Sequence, residues 1–227
     1  MTGAGTVETR FDWERERRTG FAEAILCEGK RADQIAAVLA EAGERRVLLT
    51  RLGEETLAAL PAAIAGRLDH CPVSRTAFHG AVPPPERDGA VVVCAGTSDL
   101  PVAMEAARTL HFCGYRAPVV ADVGVAGIWR LMERIEEIRR FPVVIAVAGM
   151  EGALFSVLGG LVAAPVIAVP SPVGYGVSAG GEAALSSALS TCAPGVVTVN
   201  IANGFGAAAA AVKILHAVEA AAVRAGS

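Results

Sequence analysis

Two side chains in the second half of the sequence are of types that could carry a reaction. Glu151, in "AGMEG", is the sole acid between Arg140 and Glu182, and its neighbours are strongly apolar. A carboxyl in such a setting is expected to be buried, and burial raises its pKa toward the range useful for moving protons near neutral pH. Cys192, in "STCAPG", closes a stretch of helical character. A thiolate there would be a nucleophile, but a helix C-terminus does not lower a thiol pKa. Composition alone makes an inert packing thiol the simpler role for it. Asp99 and Asp122 stand at strand ends, where Asp99 also suits a helix cap. The four histidines, at 70, 79, 111 and 216, all fall outside the strand-end loops, so histidine-based catalysis has no support.

Those candidates need elements to position them. From residue 90 onward, apolar runs alternate with helical patterns: "AVVVCAG", "APVVADVG", "PVVIAVAGM", "PVIAVP" and "VVTVN" read as strands. Uninterrupted apolar runs are what strands covered on both faces of a parallel sheet require. The expected fold is α/β, a doubly wound open parallel sheet of flavodoxin-like three-layer type, preceded by a small N-terminal α+β appendage. The expected division is an appendage with linker over 1–85 and a catalytic domain over 86–227. "AVPPPERDGA" marks the linker by its three prolines and following charges. Within the appendage, "RADQIAAVLAEAG" puts Ile35, Val38, Leu39 and Ala42 on one helical face, and Pro61 breaks a second helix.

Ligands of open parallel sheets bind beyond the carboxyl ends of the strands. The loops there are "AGTSD", "ADVGVAG", "AGMEG", "PSPVGYG" and "NIANGFG", all rich in glycine. Each alone is read as a tight turn; five at one sheet edge point to a phosphorylated ligand held by backbone N–H groups and helix N-termini. The candidate binding residues are Gly96, Thr97, Ser98, Asp99, Asp122, Gly124, Gly149, Met150, Gly152 and Tyr175.

Charge is distributed unevenly. Residues 1–90 carry 26 charged side chains, whereas 141–227 carry five: Glu151, Glu182, Lys213, Glu219 and Arg224. A core buried again inside a homo-oligomer explains this depletion. A membrane span over the charge-free stretch 152–181 is set aside, because Pro165, Pro170 and Pro172 interrupt it. The net charge of −3 without a basic stripe excludes nucleic acid as an expected partner. Five widely spaced cysteines suggest neither a disulfide framework nor a zinc site, and a cytoplasmic setting is expected. The N-terminal "MTGAGTVETRFDWERERR" has no apolar run of the export-signal kind.

Taken together, "AGTSDLPVAMEAARTL", "ADVGVAGIWRL", "VVIAVAGMEGALFSVLGGLVAAPVIAVPSPVGYG", "TCAPG" and "VNIANGFGA" resemble the LarB family, the pyridinium-3,5-biscarboxylic acid mononucleotide synthases of nickel-pincer cofactor assembly. "RRTGFAEAILCEGK" is similar to that family's opening motif, so the likeness runs from about residue 10 to 216. The second domain is also similar to PurE-type aminoimidazole ribonucleotide carboxylases and mutases, which are octamers. The resemblance implies that the chain converts nicotinic acid adenine dinucleotide, carbon dioxide or bicarbonate, and water into the biscarboxylated mononucleotide and AMP. It assigns Cys192 as nucleophile and Glu151 as its acid/base partner. The glycine-containing loops of Gly96–Asp99 and Asp122–Gly124 would hold phosphate and ribose, and an octamer is implied. No organic cofactor and no protein-built metal site are expected; magnesium is the one ion this reading admits.

Two other readings stand beside it. A PurE-type carboxylase or mutase acting on an aminoimidazole ribonucleotide is opposed by the absence of a histidine in "DVGVAGIWR", where that family carries a catalytic one. A non-catalytic nucleotide-binding oligomer is the third. Three departures from the LarB pattern are Phe155 in place of a proline, variation in "SPVGYGVSAGG", and Ala202 where an aspartate is expected.

Overall fold

The longest apolar runs become the inner strands of one sheet. β6 (Ala90–Cys94), β9 (Val143–Ala148) and β10 (Val166–Pro170) are buried along their whole length. A computed structural model describes residues 9–225; residues 1–8 and 226–227, and with them the start of the stretch read for an export signal, lie outside it. The chain divides into two compact units with the boundary between Pro83 and Pro84.

The first unit contains α1 (Arg15–Thr19), β1 (Ala24–Leu26), α2 (Ala32–Ala42), β2 (Val47–Thr50), α3 (Glu54–Ala58), α4 (Ala62–Ala65), β3 (Asp69–Cys71) and β4 (Thr76–His79). Its sheet has the order β1-β2-β4-β3, with β1 parallel to β2 and the other pairs antiparallel. Ile35, Val38, Leu39 and Ala42 of α2 are buried against Ile25, Val47 and Leu49, as their helical spacing predicts. Pro61 stands between α3 and α4 because its missing N–H cannot continue a helix. The β3–β4 hairpin is not legible in the residues that form it, since "DHC" lacks apolar alternation.

The second unit continues with β5 (Arg87–Asp88), β6, α5 (Leu100–Phe112), β7 (Tyr115–Arg116), β8 (Val119–Val120), α6 (Ile128–Ile138), β9, α7 (Ala153–Leu161), β10, α8 (Glu182–Ser190), β11 (Val196–Thr198) and α9 (Gly204–Ala225). The main sheet is entirely parallel, in the order β11-β10-β9-β6-β8. Counted within this sheet the order is 2-1-3-4-5, the doubly wound arrangement expected, with its strand order reversing between β6 and β9. α5 and α9 cover one face. Leu131, Ile135 and Ile138 of α6 and Leu154, Phe155 and Leu158 of α7 build the core on the other. Phe155, one of the departures from the family pattern, is a core residue.

Helix α9 is long and apolar enough to cross a membrane by length and composition. Its first half is instead a packing face: Gly204, Ala207, Ala208, Ala211, Val212 and Leu215 are buried, and α9 lies along α5. A Cβ at Gly204 would sit 2.5 Å from the Val102 carbonyl oxygen, so glycine there permits the close approach of the two helices. The charge-free stretch 152–181 folds as α7, β10 and a short 3-10 segment rather than as one helix.

Candidate active site

A cleft of about 420 Å³ opens where the sheet order reverses, at the carboxyl ends of β6, β8 and β9. The position follows from topology: crossovers leave β6 and β9 toward opposite faces, and their loops part to leave a crevice. Gly96, Ser98, Asp99, Asp122, Gly124, Gly149, Met150 and Glu151 line it, as expected. Val125, Ala126, Ala153 and Leu154 contribute at the starts of α6 and α7, where the helix dipoles favour an anion.

Backbone strain gathers on this edge. Asp122, Met150 and Ala202 adopt left-handed conformations, with φ of 60°, 51° and 53°, in the loops after β8, β9 and β11. Non-glycine residues hold such angles only when their surroundings compel them. Here the compelling contacts are short: the Met150 N–H donates to the Val173 carbonyl at 2.8 Å, and the Ala202 N–H donates to the Pro170 carbonyl at 2.8 Å. At Gly149 a Cβ would lie 2.0 Å from the same Val173 oxygen, so the cleft floor requires glycine.

Asp99 is the most deeply held polar group of the site, 3% exposed. Its Oδ2 accepts the Gly96 N–H at 2.9 Å, which ties off the 3-10 turn of residues 97–99, and the Ser171 hydroxyl donates to the carboxylate. Its Oδ1 is buried without a hydrogen-bond partner among the described residues. Burial is the dominant influence and raises the Asp99 pKa, against the opposing pull of Ser171 and Gly96. Burial likewise pushes the neighbouring Cys94 thiol up to about 11, so that sulfur is a packing atom at neutral pH.

Arg130, absent from the sequence expectations, is the cation among the lining residues. Its guanidinium meets Asp122 at 2.6 Å across the first turn of α6. The signal for it was available: it is the first cation after a strand-end loop, close enough on the following helix to turn back. The other charged linings are the carboxyls of Asp99, Asp122 and Glu151, which leaves Arg130 as the one cationic side chain of the cleft.

The other expected residues are placed as follows. Glu151 lines the cleft but is exposed, because the 149–152 turn carries it to the rim despite apolar sequence neighbours. The burial argument for its proton chemistry therefore fails, and the buried carboxyl is Asp99. Thr97 sits on the outer side of its 3-10 turn and is exposed, outside the lining. Gly152, with φ of 66°, is turned away from the cleft toward the Phe155 ring and Ala184, where it starts α7. Tyr175 is 77% exposed and likewise outside the lining.

Cys192 is also absent from the cleft. It is exposed in the turn before β11, at the amino end of the parallel sheet, whereas Glu151 follows β9 at the carboxyl end. Among the described residues, no group of three or more His, Cys, Asp or Glu side chains is placed to hold a metal. Asp122 is paired to Arg130, and Asp99 is held by Gly96 and Ser171. None of the five cysteines forms a disulfide.

Residues 90–225 match AIR carboxylase, and residues 5–80 match the LarB/PurE-like N-terminal domain. The fold and its switch-point cleft thus define a protein of the AIR carboxylase class. With both domains present in this order, the chain belongs to the LarB family. An uncharacterised protein of Methanocaldococcus jannaschii is 45% identical over 130 residues, which cover 55% of this chain and 50% of that protein. The chain thus spans about half the length of the curated relative it matches. The crystal structure of a PurE2 variant from Treponema denticola matches with a TM-score of 0.44 and 19% identity, over 62% of this chain and 96% of that one.

Proposed function

We propose that this carboxylase-family chain carboxylates the pyridinium ring of nicotinic acid adenine dinucleotide and hydrolyses its phosphoanhydride, releasing AMP. The observation that carries this reading is the cleft at the strand-order reversal. Its glycine loops, helix N-termini and Arg130 suit a phosphorylated mononucleotide, and its buried Asp99 offers an unsatisfied oxygen to a ligand or water.

A pyridinium ring is electron-poor and does not attack carbon dioxide. Addition of the Cys192 thiolate forms a carbon–sulfur bond and neutralises the ring nitrogen, leaving an enamine whose carbon beside the adduct is nucleophilic. That carbon forms a bond to carbon dioxide. A base then takes the ring proton, the carbon–sulfur bond breaks, and the electron pair returns to sulfur as aromaticity is restored. No oxidant or reductant is consumed. Asp99 and Glu151 are the carboxyls able to receive the proton; Asp99 needs to be ionised to do so. Water cleaves the phosphoanhydride in a separate step. The setting proposed for it is a reducing compartment such as the cytoplasm.

Mass spectrometry of products formed with isotope-labelled bicarbonate tests this. Label in a biscarboxylated mononucleotide, with AMP in step, is expected. Cys192→Ala should lose label incorporation while its stability stays within about 0.5 kcal/mol, since the residue is exposed. Full carboxylation by that variant removes cysteine from the mechanism. The match to AIR carboxylase keeps a second reading, carboxylation of an aminoimidazole ribonucleotide; rescue of a purine auxotroph would favour it.

A further inference from the structure

A second recess, of about 560 Å³, lies in the second unit at the opposite end of elements that also build the cleft. Helix α5 begins next to Asp99, and its later turns line this recess; β8 runs from the recess toward Asp122. The two cavities share no lining residue. The volume falls in the range of about 300–1,000 Å³ found for small-molecule sites.

Helical spacing makes one wall. Met104, Ala107, Arg108 and His111 form a half-buried stripe on α5, beside the buried stripe of Ala103, Ala106 and Leu110. Pro118 and Val119, at the start of the edge strand β8, and Phe141, before β9, supply an apolar floor. The wall at β7 is held firmly. Tyr115 is fully buried, its hydroxyl donates to Glu219 at 3.0 Å, and the Arg87 guanidinium lies 4.1 Å over its ring. The Gly89 N–H donates to the Arg116 carbonyl at 3.1 Å, and a Cβ on Gly89 would meet Tyr115 Cβ at 2.7 Å. These contacts shape the recess before any ligand arrives, which spares the ordering cost of binding.

The charge of the recess is opposite to that of the cleft. The cleft sets one guanidinium against three carboxyls, whereas the recess sets Arg108, Arg116 and the imidazole of His111 against the single carboxyl of Asp88. Asp88 accepts the Arg116 Nε–H at 2.8 Å, in solvent, and leaves the other two basic groups in excess. Guanidinium groups match phosphate oxygens in a bidentate fork, and an imidazole adds a further N–H donor. The apolar floor calls for a flat body on that anion: a thioether such as that of Met104 contacts an aromatic ring favourably, and Phe141 offers a second face.

We propose that this recess is a second ligand site, which takes a nucleoside monophosphate. Arg108, His111 and Arg116 hold the phosphate, and Met104, Pro118 and Phe141 receive the base. The site does not rest on the chemistry proposed for the cleft.

Two experiments test it on the full chain, with AMP as the probe. Because release of AMP is proposed for the cleft itself, the first uses Ser98→Trp, whose indole fills the cleft, and follows AMP binding by calorimetry. A folded Ser98→Trp chain is expected to bind AMP. Adding Arg108→Ala should raise Kd about tenfold to hundredfold, as loss of one hydrogen bond to a charged group does. Adenosine, which lacks the phosphate, should bind at least about tenfold more weakly than AMP. Absence of AMP binding to folded Ser98→Trp, an unchanged Kd on adding Arg108→Ala, or equal binding of adenosine overturns the proposal. The second needs no substitution: azido-AMP is photolysed on the unaltered chain and the labelled peptides are sequenced. Label within residues 104–119 or at Phe141 that excess AMP displaces supports the site. Label confined to the cleft loops, or none that AMP displaces, overturns it, whatever the cleft catalyses.

Discussion

Arg130 and Asp122 form an ion pair of 2.6 Å between the first turn of α6 and the left-handed residue at the start of the loop after β8. The pair lies partly in solvent, so its contribution to stability is about 1 kcal/mol or less. Its consequence is positional: it holds the guanidinium at the cleft, where a charge-assisted hydrogen bond to a phosphate oxygen would form.

Arg130→Ala should therefore weaken ligand binding far more than folding. Loss of one hydrogen bond to a charged group corresponds to about a tenfold to hundredfold rise in KM, with the melting temperature nearly unchanged. Steady-state kinetics beside thermal unfolding separate the two. A fall in melting temperature with KM unaltered would assign Arg130 to structure alone.

Asp99 gives a pH signature. Its folded pKa is raised above the ordinary 3.8, chiefly by burial, so the folded chain holds this proton more tightly than the unfolded chain. That stabilising contribution is complete below the ordinary value and is lost as pH rises through the raised one. Asp99→Asn, neutral throughout, escapes the loss. The urea midpoint of the variant relative to the native chain should rise from acid toward neutral pH, then level off. A difference independent of pH would show that Asp99 titrates as an ordinary carboxyl.

Gly149→Ala should be among the most damaging single methyl additions in the second unit. The added Cβ would meet the Val173 backbone oxygen at 2.0 Å, and neither partner is a flexible side-chain end. A loss of about 3 kcal/mol or more is expected from chemical denaturation, at the upper end for overpacking. A loss below about 1 kcal/mol would show that the 171–174 loop yields easily.

Ala202 gives the opposite sign. At φ of 53° alanine is strained, whereas asparagine tolerates the left-handed region through local hydrogen bonds. Ala202→Asn is expected to stabilise by about 0.5–1 kcal/mol, read as a raised urea midpoint. The same geometry explains why an aspartate suits this position in the family pattern: an Asx residue fits the turn, so its absence removes conformational fit rather than a demonstrated ligand contact. An unchanged or lower midpoint would show that the turn accommodates alanine without strain.

Much of the molecule was legible in the order of residues. β6, β9 and β10 are unbroken apolar runs because both their faces are covered, and no solvated face imposes polar alternation. The parallel order and the glycine loops together placed the cleft, since strand direction alone decides which loops share an edge. The β3–β4 hairpin was not legible, because its pairing depends on what packs against it. Burial of individual site residues was misread for a related reason. Apolar neighbours in sequence suggested a buried Glu151, but a turn alternates its side chains between interior and solvent, and this one delivers Glu151 to the rim. Asp99, with a cap's composition, is instead enclosed by Gly96 and Ser171, the latter 72 positions away in the chain. By itself the sequence determined the sheet, its loops and the family. Only the tertiary structure decided that Asp99 is the enclosed carboxyl and that Arg130 reaches the cleft. Those two depend on contacts between side chains and distant segments, which spacing along one chain does not encode.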